Sequence, residues 1–231
     1  MSPLIIGGRF LRSGFHTAKR MIKNFPIEVL VLGIGNILWA DEGFGVRAVE
    51  AFHQRFKAID GVRVMDGGTL GNYLINDVTD SRRILLFDCC DLKAEAGTLR
   101  VLRDDDIKLW SSTKISPHQT GMNDVLVTAA LGGYEPEALT VIGVQPKELN
   151  DYGGSLTEVV KAKVNQAVDL AQEELKTWGF ELNERDADEV VEPLGFPSLE
   201  LDPYETERPK ETDACRVGDI RFLKTGDKSC A

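Results

Sequence analysis

Apolar positions along this 231-residue chain follow two rhythms, short β-branched runs and longer stretches with three- and four-residue steps. "IEVLVLGIG" (27–35) is brief and glycine-bounded and reads as a buried strand. "GFGVRAVEAFHQRF" (43–56) spaces Val46, Val49, Phe52 and Phe56 as the stripe of a helix. "VRVMDGG" predicts a second strand ending at Asp66, "LGNYLINDVTD" a short helix, and "RRILLFD" a third strand ending at Asp88. "GTLRVLR" predicts a fourth strand at a sheet edge, and "ALTVIGVQP" a fifth. Between them, "TKISPHQTGMNDVLVTAALGG" predicts a turn at Pro117-His118, then a helix capped at Thr120 and stopped by Gly132-Gly133. "SLTEVVKAKVNQAVDLAQEELKTWG" opens on Ser155-x-x-Glu158, a capping-box pattern, and closes at Gly179.

Strands alternating with helices predict an α/β sandwich with a mainly parallel sheet. In such sheets, ligands occupy the crevice beyond the carboxyl ends of the strands. That rule selects Asn36, Asp41, Glu42, Asp66, Thr69, Asp88 and His118.

Charge divides the chain. Residues 1–27 carry five basic and no acidic side chains, whereas residues 181–231 carry fourteen acidic against seven basic. The expected organisation is a disordered basic arm (1–27), an α/β domain (28–180), and a mobile acidic tail (181–231) with a few docking apolar residues. The arm lacks the apolar core of a secretory signal, and translation from Met21 is an alternative start. A net charge of −10 argues against a nucleic-acid partner. No apolar run approaches the roughly 18 residues of a membrane span. The cysteines, Cys89-Cys90, Cys215 and Cys230, form neither a disulfide framework nor a CxxC pair, so a reducing cytoplasm is expected. A monomer is expected.

Two chemistries compete at "VLGIGNILWADEGFGV". A dinucleotide loop needs a third glycine where Leu38 stands, and Asp41 and Glu42 would repel a pyrophosphate. Glu42, Asp88 and His118 instead offer two carboxylates and one imidazole, a donor set for borderline divalent ions such as Ni²⁺ or Zn²⁺. Each residue also has a plainer reading: an acid at a helix start, a strand-end aspartate and a loop histidine. There is no GxSxG elbow. Cys89-Cys90 reads as packing, with proximity to a soft metal as the other possibility.

"GIGNILWADEGFGVRAVEAF", "DGGTLG", "LLFDCCD" and "SPHQTGMNDVL", in this order and spacing, resemble the nickel-iron hydrogenase maturation endopeptidases, in the branch serving uptake hydrogenases. The resemblance covers about residues 28–178. It implies a three-layer sandwich with a twisted five-stranded sheet, and metal-binding roles for Glu42, Asp88 and His118. It implies as partner the precursor of a hydrogenase large subunit, whose C-terminal peptide is removed after nickel is inserted. Nickel then arrives with the substrate, although another divalent metal in the resting enzyme fits the same ligands. Asp41 and Asp66 are the candidate general bases, and the family's grouping with aspartic-type endopeptidases leaves direct activation of water by a carboxylate open. The competing expectation is a chaperone that checks nickel insertion without cutting.

Overall fold

The computed structural model describes residues 25–104, 106–107, 110 and 117–207, with no side chains described for 117–120. The expectations for residues 1–24, including a start at Met21, for the tail beyond 207 with Cys215 and Cys230, and for the His118 side chain lie outside the described residues.

The described strands are β1 (Ile27–Ile34), β2 (Val62–Gly68), β3 (Ser81–Cys89), β4 (Leu99–Leu102) and β5 (Ala138–Val144). They form one sheet in the order β2-β1-β3-β5-β4, parallel throughout except for the antiparallel edge strand β4. The α-helices with described bounds are α1 (Phe44–Arg55), α2 (Ile75–Thr79), α3 (Pro117–Leu131), α4 (Glu158–Lys161), α5 (Val164–Thr177) and α6 (Leu201–Thr206).

Strand alternation sorts the core into two layers. Val29 and Val31 of β1 and Leu85, Phe87 and Cys89 of β3 meet the stripes of α1 and α5. Leu30, Leu32 and Ile34, with Ile84 and Leu86, face α2 and α3 instead. All four residues of the expected α1 stripe, Val46, Val49, Phe52 and Phe56, are buried. The result is the expected three-layer α/β sandwich.

Three local expectations change. Helix α3 starts at Pro117 rather than after Thr120, because proline suits the first helical position, where its missing N–H has no partner to lose. The capping box at Ser155 does not form: the Ser155 hydroxyl donates to Glu205 at 2.7 Å. The first turn there is the short α4, with Thr157 at its N-cap.

Residues 181–207 are not a loose tail. Leu182 and Leu194 pack against the α1–α5 core, and Glu184 bridges to Phe56. Their acids meet the basic end of α1, with Arg55 on Glu184 and Lys57 on Asp186. An acid-rich composition reads as solvated, but here the opposing charges lie on a neighbouring helix.

One buried acid locks α5 to the sheet. Glu174 accepts hydrogen bonds from Arg103 in a forked pair and from the Thr140 hydroxyl at 2.6 Å. Burial alone would raise its carboxyl pKa, but the bonds from Arg103 and Thr140 outweigh it and hold the group below its ordinary value. Glu174→Gln is expected to lower the unfolding free energy by about 1–3 kcal/mol at pH 7, read from urea titration. A depressed pKa adds stability above the unfolded value and loses it as pH falls through the folded one. The deficit of the variant should therefore shrink as the pH drops below 4.5.

Candidate active site

Beyond β1 the chain makes a tight connection into α1, and close packing dictates its residues. A side chain at Gly35 (φ +146°) would put its Cβ 2.0 Å from the Glu42 carbonyl oxygen. One at Gly45 would meet the Ile34 and Phe87 carbonyls at 2.2 and 2.3 Å. The 3₁₀ turn Ala40–Gly43 and the start of α1 therefore rest directly on the ends of β1 and β3.

Asp41 and Glu42 share this turn but face different surroundings. Asp41 is fully buried. Its Oδ2 accepts the backbone N–H groups of Lys147 at 2.8 Å and Glu148 at 2.9 Å. Its Oδ1 accepts the Thr157 N–H at 2.7 Å, and the Thr157 hydroxyl lies 3.0 Å from both oxygens. Every lone-pair direction of the carboxylate is engaged, so Asp41 is not placed to act as the expected general base. It is a structural anchor that holds residues 147–157 against the turn. Ala40 beside it stands at φ +42°, a left-handed conformation costing about 1–2 kcal/mol in a non-glycine residue.

Glu42, 9% exposed, lines a cleft of about 530 Å³. Among the described residues, Asn36, Trp39, Thr69, Gly121, Leu149 and Asn150 line it as well. Trp39 stands edge-on to Tyr152, ring centroids 5.1 Å apart. Asn36 and Thr69 are strand-end positions selected by the sequence, and Gly121 belongs to the second turn of α3.

Asp88, one residue before the end of β3, has no exposed surface and accepts the Trp110 indole N–H at 2.8 Å. By strand alternation it shares the α3 side of the sheet with Ile84 and Leu86. The backbone of residue 118 lies in the first turn of α3. Asp88 lies near the carboxyl end of β3, beside the end of β1 from which the Glu42 turn departs, and is not among the described residues that line the cleft. Among the described residues no three His, Cys, Asp or Glu side chains gather into a metal-binding group. The expected trio includes His118, whose side chain is not among them.

Asp66 lies elsewhere. On β2 it alternates with Met65 and falls on the side of Val62 and Val64, toward α1. It accepts the Gly68 N–H at 2.8 Å and does not line the cleft. As a general base for chemistry beside Glu42 it is therefore misplaced. Burial raises its pKa, which the Gly68 bond and the nearby Arg47 only partly offset. Cys89 and Cys90 are buried free thiols pushed well above their usual pKa, by burial first and Asp88 second. They are protonated packing groups at neutral pH.

Sequence reasoning missed Trp110 and the wall 147–157. Trp110 gave only one signal, an indole within the polar run "DDDIKLWSST". The wall gave none, because it is defined by Asp41 from more than a hundred residues away.

A mainly parallel α/β sandwich with carboxylates at the carboxyl ends of its strands is a scaffold that places its chemistry in one strand-end crevice. Comparison with known proteins specifies which. Residues 46–174 match the family described as hydrogenase maturation protease (HycI). Over 204 residues, 88% of this chain and 96% of the relative, the sequence is 46% identical to the hydrogenase expression/formation protein HupD of Rhodobacter capsulatus. It is 40% identical to the hydrogenase 2 maturation protease of Escherichia coli K12, covering 70% of this chain and 98% of that one. The solved structure of the hydrogenase maturating endopeptidase HybD from E. coli superposes with a TM-score of 0.65 at 38% identity, over 69% of this chain and 98% of its own. The chain belongs to the hydrogenase maturation protease family and is an endopeptidase. The expectation of a chaperone that binds without cutting is thereby set aside.

Two substitutions test the division of labour among the acids. Asp41→Asn turns an amide donor toward backbone N–H donors and should cost about 2–5 kcal/mol in urea unfolding. Asp66→Asn should do the opposite at pH 7. A raised acid pKa means that stability is complete below the ordinary value of 3.8 and falls as pH rises through the folded one. The variant escapes that loss, so its thermal midpoint should exceed that of the wild type at pH 7 and converge with it below pH 3.8.

Proposed function

We propose that this endopeptidase removes the C-terminal peptide from the nickel-loaded precursor of a nickel-iron hydrogenase large subunit, and that Glu42, Asp88 and His118 read the nickel which that precursor presents. The observation that carries the proposal is Glu42 on the cleft wall, in the turn that follows β1, with Asp88 near the carboxyl end of the adjacent parallel strand β3 on the side of the sheet where α3 begins. Two carboxylates and an imidazole suit a borderline divalent ion and leave coordination positions to the substrate's own ligands. Trp110 orients the Asp88 carboxylate, as hydrogen bonds behind metal ligands commonly do.

The cleft, at about 530 Å³, is large enough for a few residues of an extended peptide. With Asp41 engaged by backbone donors and Asp66 turned toward α1, Glu42 is the described carboxylate that faces the cleft. The cytoplasm is the compartment in keeping with the free thiols of Cys89 and Cys90.

Incubation of the purified protein with nickel-loaded and nickel-free precursor tests the reading by intact mass. Loss of a C-terminal peptide is expected from the loaded form alone. Cleavage of both forms would discard nickel recognition. His118→Ala should keep the thermal unfolding transition and lose at least about a hundredfold in processing rate. Full processing by that variant would remove His118 from the site.

A further inference from the structure

Residues 181–207 lie beyond residues 46–174, which match the family model, and their far end is fastened to the cleft wall. Glu205 of α6 uses both carboxylate oxygens on the wall and the helix behind it. Oε1 accepts the Ser155 hydroxyl at 2.7 Å, and Oε2 accepts the Lys161 ammonium at 2.6 Å. The neighbouring Tyr204 hydroxyl donates to the Gly154 carbonyl at 3.4 Å. From the opposite side the same stretch is held by the Glu42 turn. The Gly153 N–H donates to the Leu38 carbonyl at 2.7 Å, Trp39 bridges to Tyr152 and Gly154, and Asp41 holds Thr157.

The segment is itself secured to the helix that follows that turn. Arg47, buried near the start of α1, donates to the Leu199 carbonyl at 2.6 Å and lies 5.4 Å from the centre of the Tyr204 ring. Residues 147–157 thus contain no regular element and a glycine pair, and are clamped between two carboxylates, Asp41 within and Glu205 without. Irregular segments of this kind open locally at low free energy unless both sides are tied.

We propose that the C-terminal segment 181–207 is a brace that fixes the 147–157 wall of the cleft, with Glu205 as its positioning residue. Leu149 and Asn150 of that wall line the cleft, so the brace sets how tightly an extended peptide is held beside Glu42. This last consequence rests on the substrate reading given above, whereas the mechanical role does not.

Hydrogen exchange and processing kinetics on full-length protein separate the two. In Glu205→Ala, amide exchange across 147–157 should rise roughly tenfold while the unfolding midpoint stays within a few degrees. KM for the nickel-loaded precursor should rise roughly tenfold with kcat little changed, the pattern of lost ground-state binding. Glu205→Gln, which keeps an acceptor for Ser155, should recover part of both effects. Asp186→Asn, which removes an exposed ion pair elsewhere in the segment, should alter neither. Unchanged exchange across 147–157 in Glu205→Ala, or acceleration spread evenly over the domain, would overturn the brace. Faster local exchange with wild-type KM would overturn its role in peptide binding. Failure of the wild type to process the precursor would tell against the substrate reading, and the exchange result would still decide the brace.

Discussion

The site depends on a buried carboxylate satisfied by neutral backbone and hydroxyl donors. Asp41 takes three backbone N–H groups and one hydroxyl, all from residues more than a hundred positions away. A carboxylate without exposure survives only when its lone pairs are filled, because transfer from water otherwise costs far more than a domain's net stability. Filling them draws residues 147–157 onto the turn that follows β1. The wall of the cleft follows from that one closure.

Two adjacent acids consequently have opposite roles. Asp41 points into the protein and is chemically occupied, and Glu42 faces the cleft. A tight 3₁₀ turn, laid on the strand ends where Gly35 and Gly45 leave no room for a Cβ, is what separates neighbouring side chains so sharply. Asp88 reaches the same rim from the adjacent parallel strand, oriented by an indole from beyond β4. A parallel sheet suits this purpose because all its carboxyl ends lie together, so acids distant in sequence meet on one edge.

Charge that reads as solvation in composition becomes attachment in three dimensions. The acids of 181–207 face basic residues of α1 and α4, and α6 reaches back to the cleft wall through Glu205. Exposed ion pairs of this kind add little individually. Their combined geometry decides where a wall without regular structure can go.

The periodicity of apolar residues was enough to establish the strands, the α1 stripe and the layered α/β architecture, because burial on a sheet or helix face is a local, repeating requirement. The quoted motifs, taken together, carried the family. The sequence could not divide Asp41 from Glu42 or place Asp66 behind the sheet, since those outcomes depend on which distant groups a carboxylate meets. Ser155 shows the same limit: its spacing to Glu158 forms a capping box on paper, yet Glu205, fifty residues on, offers its hydroxyl a charged acceptor. Short-range pattern determined the elements, and long-range hydrogen bonding, visible only after folding, decided what each polar side chain does.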